Sequence, residues 1–219
     1  NSRFTAPAAQ CPSISFRLEH HHGVPISAII FGGRRAHVAP LVYESFSWQH
    51  GVYIGATMAS ERTAAQVGTV GEVRRDPMAM LPFCGYNMGE YFRHWLDLGK
   101  KLEKVPKIFH VNWFRVDEHG KFLWPGYSEN LRILEWILDR CNNKVEAEKT
   151  PIGYVPLPDS LDLTGLNIHK DALKKLLSID KFDWIQEMES QKEFLAMFGD
   201  DLPREIRHEW AEQNKRVQA

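Results

Sequence analysis

Short apolar runs alternate with stretches of helical spacing along most of the chain. Residues 26–31 (I-S-A-I-I-F) stop at Gly32-Gly33, a pattern typical of a buried strand that ends at a turn. Residues 107–114 (K-I-F-H-V-N-W-F) predict a second strand, and a third falls near residues 152–155. Apolar spacing predicts helices over 45–59, 87–102 and about 129–140, followed by polar helices from 169 to 217. This alternation favours an α/β fold with a helical C-terminal end.

Two segments have patterns that predict more than a single element: one a buried helix face, the other a mobile loop. The helix predicted at 129–140 carries an apolar stripe that we expect to be buried, formed by Leu131, Leu134, Ile137 and Leu138 and widened by Ile133 and Trp136. Residues 60–71 combine small side chains with two glycines and show no sustained period. That composition is typical of a mobile lid.

Composition narrows the class of protein. A chain of 219 residues is long enough for one large domain with a substantial core. Its 27 Lys and Arg residues nearly balance 28 Asp and Glu residues, so no global field favours nucleic acid or a membrane surface. Any anion site must therefore be local.

Three widely spaced cysteines fit a reducing compartment better than a disulfide framework, so we expect a cytoplasmic protein. No apolar run approaches the roughly 20 residues that cross a bilayer, and the first ten residues lack a signal-peptide pattern. The chain also opens on Asn1-Ser2-Arg3-Phe4, without an initiator Met or the pattern of an element. We therefore expect it to be a piece of a longer protein.

The richest stretch for chemistry is 112–130, where aromatic residues cluster on a strand, a turn and a helix start. Several of them can surround one planar group: Trp113, Phe114, Phe122 and Tyr127. Stacking on such rings contributes roughly 1–3 kcal/mol per base, and the side-chain amide of Asn130 can donate and accept at a base edge. The pattern indicates a purine pocket, although aromatic residues that simply form core are the more common reading of such a stretch.

Arg34 lies just past the predicted end of a strand, at the edge where α/β sheets bind ligands. Its guanidinium fork suits phosphate because it makes bidentate, charge-assisted bonds. A surface arginine in a salt bridge explains the same pattern equally well. Arg3, beside Asn1 and Ser2, offers a second fork, but by itself this signal is negligible.

Two parts of a phosphoryl-transfer site are missing from the sequence. It contains no G-x-x-x-x-G-K-[ST] phosphate loop, and its Asp, His and Lys residues show no convincing metal-ligand spacing. Phosphoryl transfer needs both metal ions and a phosphate cradle to neutralise developing charge. We therefore expect no complete active site in this chain.

Several motifs together resemble GTP-dependent phosphoenolpyruvate carboxykinases. They include Asn1-Ser2-Arg3-Phe4, I-I-F-G-G-R-R, S-W-Q-H-G, D-P-M-A-M, K-I-F-H-V-N-W-F-R, G-K-F-L-W-P-G and P-I-G-Y-V-P. The match is collinear and strongest over residues 1–166, with 167–219 as a looser helical end. Residues 73–78 (V-R-R-D-P-M) look more like bacterial members than animal ones.

The resemblance implies the mixed-sheet, mononucleotide-binding C-terminal domain of that family over 1–219, with the N-terminal half and the phosphate loop outside the chain. The implied enzyme is a cytoplasmic, monomeric lyase of gluconeogenesis. It decarboxylates oxaloacetate and phosphorylates the product with GTP to give phosphoenolpyruvate, GDP and CO2, using Mn²⁺ and Mg²⁺. None of the metal ligands matches a residue of this chain, and the fragment alone is expected to be inactive.

The resemblance also assigns site residues. Asn1, Ser2 and Arg3 match substrate-binding positions, and Arg3 also approaches the transferring phosphoryl group, which makes it the catalytic candidate. The nucleotide-binding positions are Arg3, Arg34, Trp113, Phe114, Phe122, Tyr127, Ser128, Glu129 and Asn130. Tyr127 departs from the family, which usually has Phe there.

A further match is to the family's Ω-shaped lid, which closes over bound substrates. It comprises Arg62, Thr63, Ala64, Ala65, Gln66, Val67, Gly68, Thr69, Val70, Gly71 and Glu72. Gln66-Val67 replaces the Ala-Glu that is common in the family, which removes an acidic side chain. The effect of this change on closure stays open.

Two other classes of protein remain. One is a stand-alone guanine-nucleotide-binding module or pseudoenzyme that keeps the pocket without the chemistry. The other is an RNA-binding domain that uses the aromatic residues for stacking, which the near-neutral charge and the lack of a basic stripe disfavour.

Overall fold

The chain folds into a mixed α/β structure in the computed structural model, which describes residues 5–63 and 69–219. The strands in the described part are β1 (Ala28–Gly32), β2 (Val42–Glu44), β3 (Ala59–Glu61), β4 (Val73–Arg75), β5 (Lys107–Val111), β6 (Ala147–Thr150) and β7 (Gly153–Pro156). The α-helices there are α1 (Trp48–Ala56), α2 (Met88–Lys101), α3 (Asn130–Cys141), α4 (Lys170–Leu177), α5 (Lys181–Ala196) and α6 (Arg204–Gln218).

One five-stranded sheet organises the fold, in the order β1-β5-β2-β7-β6. β1 and β5 are parallel, whereas β2 runs antiparallel to both β5 and β7, and β6 is antiparallel to β7. β3 and β4 form a separate antiparallel pair. Because β1 and β5 are parallel, their carboxyl ends meet at the same edge of the sheet, and the segments that follow them emerge side by side.

Two apolar clusters form the core. Neighbouring residues of a strand divide between them: Tyr43 and Ile108 pack into one cluster, Val42 and Phe109 into the other. Since successive side chains of a strand point to opposite faces, the two clusters lie on the two sides of the sheet. The first cluster includes residues of α1, α2, α5 and α6, and the second includes residues of α3 and α4.

The helices begin where the sequence supplies a cap. The side chain of Ser47 accepts a hydrogen bond from the backbone of His50 at the start of α1, and Asn87 does the same for Gly89 at α2. Each cap satisfies a backbone donor that has no partner inside the helix. α2 then buries Met88, Phe92 and Leu96, which are spaced four residues apart on one face.

The principal predicted elements are confirmed, with shorter bounds. The strands predicted at 26–31 and 107–114 are Ala28–Gly32 and Lys107–Val111, and the helix predicted at 45–59 is Trp48–Ala56. The mixed sheet and helical C-terminal end were also expected. Four short strands were not predicted. β2, β3 and β4 have three residues each, and β6 has a polar A-E-K-T sequence without an apolar run. Ala59, which was assigned to the helix over 45–59, is the first residue of β3.

The predicted buried stripe of α3 was partly wrong. Leu131 and Leu138 are exposed by 71% and 56% of their surface, whereas Ile133, Trp136 and Ile137 are buried. The buried residues are spaced by three and four positions, so they form one helix face by themselves. Only this narrower face of α3 packs against the core, although the apolar pattern of the sequence is broader.

No helix of the described residues is both long enough and apolar enough to span a bilayer.

Candidate functional site

The candidate site lies at the carboxyl edge of β1 and β5. Arg34 follows β1, Phe114 follows β5, and the guanidinium carbon of Arg34 lies 3.9 Å from the centre of the Phe114 ring. A cation over an aromatic face is favourable, and the ring supports the planar guanidinium. The parallel pairing thus joins two candidates that are 80 residues apart in sequence.

The side chain of a buried asparagine forms hydrogen bonds to both loops that carry these residues. Nδ2 of Asn112 donates to the carbonyl oxygens of Arg35 and Ala39 at 2.8 and 2.9 Å. Oδ1 accepts from the backbone N–H of Arg35 and of Phe114, each at 3.2 Å. Asn112 is fully buried, and its amide supplies both the donors and the acceptor that these backbone groups require. From its place in the sequence, Asn112 was assigned no role beyond being the first residue of the aromatic stretch.

The base of the predicted lid packs directly against the Arg34 loop. A side-chain Cβ at Gly33 would collide with the carbonyl oxygen of Ala59, so only glycine permits this approach. The backbone N–H of Arg34 donates to Oγ of Ser60 at 3.1 Å, and that of Glu61 donates to the carbonyl of Arg34 at 2.8 Å. β3 and the Arg34 loop are therefore one hydrogen-bonded unit.

The described ends of the predicted lid pair with each other. The backbone N–H of Arg62 donates to the carbonyl of Glu72, and that of Gly71 to the carbonyl of Arg62, both at 2.9 Å. The side chains of Arg62 and Glu72 form an ion pair at 3.5 Å. Residues 64–68, which include Gln66-Val67, lie outside the described residues, so the prediction that this segment is a mobile lid stays a prediction.

A buried ionic cluster contains Arg35, the residue that follows Arg34. Glu187 of α5 pairs with Nη2 of Arg35 at 2.7 Å and with Nη1 of Arg75, the last residue of β4, at 2.5 Å. Each of the three side chains is exposed by 10% or less. Burial raises the pKa of Glu187, but the charges and hydrogen bonds of the two arginines outweigh it and hold the pKa below its ordinary value.

The two adjacent arginines therefore differ in role. Among the described residues no carboxylate forms a salt bridge with Arg34, whereas Arg35 is neutralised by Glu187. The salt-bridge alternative weighed for Arg34 thus applies to its neighbour. Within the described residues, the charge of Arg34 is therefore not neutralised by a carboxylate.

The aromatic candidates are only partly assembled. Phe114 and Phe122 meet edge to face, with ring centres 6.0 Å apart, and Phe122 is 53% exposed. Trp113 is half-buried against the core cluster on the α3 side. Tyr127 is 97% exposed and stands away from the others. The structure thus brings together Arg34, Phe114 and Phe122, but it does not pack Tyr127 against them.

Asn130 opens α3 with its side chain oriented by a tryptophan. Its Oδ1 accepts from Nε1 of Trp124 at 2.8 Å. Because an indole N–H only donates, the oxygen must be the atom that faces Trp124. Nδ2 donates no hydrogen bond to any described residue. Its two hydrogens remain available to a ligand.

The side chains of Ser128 and Glu129, the two residues before Asn130, have different surroundings. Glu129 is held by Nε of Arg132 at 2.6 Å, and this hydrogen bond is the main reason that the pKa of its carboxyl is lowered. Ser128 is exposed. Neither side chain is positioned by the core, in contrast to Asn130.

Three substrate-binding candidates are not tested by the structure. Asn1, Ser2 and Arg3 lie outside the described residues, so their substrate-binding role stays a prediction. Among the residues that the structure describes, no three His, Cys, Asp or Glu side chains are grouped so that they would hold a metal ion. These residues do not fit a metal site, and we assign no chemical step through a metal to them.

An unpaired arginine, exposed aromatic rings and an amide with free donors at the carboxyl edge of parallel strands are typical of an α/β domain that binds a nucleotide. Comparison with known proteins gives the family. Residues 1–216 match the family described as "Phosphoenolpyruvate carboxykinase C-terminal P-loop domain", and the chain belongs to this family.

Curated relatives agree with the family match. Proteins named "Phosphoenolpyruvate carboxykinase [GTP]" are 55% identical in Chlamydia caviae over 95% of the chain and 52% identical in Thermoplasma volcanium over 99%. A relative of the same name from Anaeromyxobacter dehalogenans is 55% identical over 94% of the chain. The chain spans about a third of the length of these relatives, 35%, 36% and 35% in turn.

Proposed function

We propose that this chain is the nucleotide-binding portion of a GTP-dependent phosphoenolpyruvate carboxykinase. The complete enzyme would convert oxaloacetate and GTP into phosphoenolpyruvate, GDP and CO2 in the cytoplasm, in gluconeogenesis, as a monomer. The observation that carries this proposal is Arg34, which rests on Phe114 at 3.9 Å and has no carboxylate partner among the described residues. Family membership and the relatives' names supply the reaction.

In this proposal Arg34 binds the phosphates of the nucleotide. Its guanidinium lies on the ring of Phe114, and hydrogen bonds to Ser60 and Glu61 fix its backbone. A planar fork that is already oriented loses less freedom when it binds two phosphate oxygens. The ion pair between Arg35 and Glu187 keeps the neighbouring charge from competing for the same anion.

The purine is proposed to bind near Phe122 and Phe114, with Asn130 at its edge. Stacking accepts either purine, because both present similar aromatic faces. The free Nδ2 hydrogens of Asn130 match the carbonyl oxygen of guanine, whereas adenine presents an amino group at that position. The donor end of Asn130 therefore selects guanine.

Substitutions at Asn130 should separate stacking from edge recognition in the complete enzyme. Asn130→Asp keeps an oxygen for Trp124 but replaces the donor by an acceptor, so we expect GTP binding to weaken by one to two orders of magnitude and the gap to ATP to narrow. Asn130→Ala should act in the same direction. Phe122→Ala should weaken both nucleotides about equally, because it removes only stacking. Nucleotide affinities of each variant, measured by titration calorimetry, test these expectations.

Asn142→Ala, at the far end of α3, is the control and should leave both affinities unchanged. Equal losses for GTP and ATP in Asn130→Asp would remove this side chain from the recognition of the base. Backbone groups would then be the source of selectivity.

The remaining roles in this proposal follow the family resemblance. Asn1, Ser2 and Arg3 would bind the dicarboxylate substrate, and residues 62–72 would close over it to keep water from the enolate. Trp113, Tyr127, Ser128 and Glu129 would complete the wall around the base. Mn²⁺ and Mg²⁺ would be bound by residues outside this chain, as the family resemblance implies.

The proposal is tested by comparing two proteins. The purified 219-residue chain should give no phosphoenolpyruvate from oxaloacetate and GTP, because it lacks a phosphate loop. The complete polypeptide that contains it should be active with GTP and metal. Turnover by the short chain would refute the first expectation. An inactive complete polypeptide that still binds GDP would favour a guanine-nucleotide-binding module without chemistry.

A further inference from the structure

A large cavity lies away from the carboxyl edge of β1 and β5, between the β6–β7 hairpin, α4 and the end of α6. Its volume is about 940 Å³. Small-molecule sites usually measure about 300–1,000 Å³, so the cavity is large enough for a ligand. None of the residues assigned above to nucleotide or substrate lines it.

The floor of the cavity is apolar. Val155, Leu173, Leu177, Trp184 and Val217 line it, and each is buried. Burying an apolar ligand against such a surface is favourable in proportion to the area removed from water. The floor therefore suits a hydrocarbon or aromatic body.

The rim is basic. Five basic side chains line the cavity, Lys149, Lys170, Lys174, Lys181 and Arg216, against two acidic ones, Glu148 and Asp159. Neither acidic residue forms a salt bridge with any of the five among the described residues. The excess of positive charge is local, because the chain as a whole is nearly neutral.

One helix presents both surfaces. Lys170, Leu173, Lys174 and Leu177 are spaced by three and four positions, so they share one face of α4, and all four line the cavity. Lys175 is also exposed but does not line the cavity. Lysines of the basic rim and leucines of the apolar floor thus share a single face of α4.

Arg216 adds a guanidinium charge to this rim. Its Nε donates to the carbonyl of Pro151 at 2.8 Å, and its guanidinium carbon lies 5.0 Å from the centre of the Phe46 ring. These contacts hold the charge beside the cavity, where an anionic group would be attracted to it.

We propose that this cavity binds a free small amphipathic anion, an acyl or aryl carboxylate whose apolar body packs on Trp184 and Leu173 and whose head group meets Lys170, Lys174 and Arg216. The site is separate from the nucleotide edge and does not depend on the proposed reaction. The cavity volume of about 940 Å³ and the buried floor residues favour a single dissolved molecule over a flat membrane surface.

The test uses decanoate as the probe, 1-decanol as its uncharged match, and the complete polypeptide that contains this chain. Titration calorimetry should show decanoate binding at least tenfold tighter than 1-decanol, and the difference should shrink as salt is raised. Lys174→Glu should weaken decanoate roughly tenfold, because it reverses a rim charge. Lys175→Glu, the adjacent lysine off the cavity face, is the matched control and should change the affinity little.

A second variant tests the floor without a change of charge. Leu163→Trp enlarges a half-buried lining residue, so it should weaken decanoate and 1-decanol alike. Equal binding of the two probes, or equal effects of Lys174→Glu and Lys175→Glu, would overturn the proposal. So would the absence of any binding, which would mean that another segment of the complete polypeptide fills the cavity. Cosedimentation with phosphatidylcholine vesicles that contain phosphatidylglycerol would instead identify a membrane surface as the partner.

Discussion

Replacing Glu187 by leucine should lower the free energy of unfolding by about 3–5 kcal/mol, because it leaves two buried guanidinium groups without their carboxylate. Arg35 and Arg75 are both largely shielded from water, and neither pairs with another carboxylate of the described residues. Hydrogen bonds from Arg75 to the carbonyl of Thr57 and to Oγ of Ser190 would offset only part of this loss. Urea denaturation of the wild-type and variant chains measures the difference.

The control for this prediction is Glu189→Leu on the same helix. Glu189 is exposed, and among the described residues it forms a salt bridge only with Lys192 at 3.4 Å, so its replacement should cost little. The loss at position 187 should also depend on pH. Since the folded state lowers the pKa of Glu187, its contribution is complete above the unfolded pKa and is lost as pH falls through the folded pKa. Equal destabilisation by the two substitutions would contradict the role of the buried cluster.

Replacing Arg34 by lysine should reduce kcat/KM for GTP in the complete enzyme by roughly a hundredfold, although the charge is kept. A lysine ammonium does not provide two parallel donors to phosphate oxygens, and it lacks the planar group that lies on Phe114. The loss should appear with GTP as well as with ATP, because phosphates are common to both. Steady-state kinetics with each nucleotide measure it.

Arg93→Lys is the matched control for this substitution. Arg93 lies on α2, and its one hydrogen bond to a described residue goes from the guanidinium to the carbonyl of Asp201 at 3.5 Å, so kinetics and stability should stay close to wild type. Unchanged kinetics for Arg34→Lys, with Arg93→Lys also silent, would show that Arg34 does not bind phosphate.

β1 and β5 were predictable because apolar residues dominate both strands. The runs at β1 and β5 are bounded by glycine or by polar residues, and their ends were placed within three residues. β6 was missed because its A-E-K-T sequence is stabilised by pairing with β7, which is a long-range contact and leaves no local pattern. Leu131 shows the opposite case, an apolar residue that fits the helical pattern but stays in solvent.

The candidate site was predictable only in part, for a similar reason. The position of Arg34 after a glycine turn pointed to the edge of the sheet, and the structure brings it onto Phe114. The sequence did not distinguish it from Arg35, since only the fold reveals that Glu187, more than 150 residues away, neutralises the second arginine. Asn112 was missed as an organising residue because its partners are backbone groups, which no side-chain pattern reports.

Asn112 also constrains how this edge of the protein can be engineered. Its side-chain amide forms hydrogen bonds to Arg35 and Ala39 on one loop and to Phe114 on the other. The conformation of each loop therefore depends on the conformation of the other. A chimaera that imports one loop from a distant homologue inherits only half of this arrangement and leaves buried backbone groups unmatched. To change nucleotide preference by exchanging segments between homologues, residues 33–39 and 112–114 should therefore be replaced together, with Asn112 included.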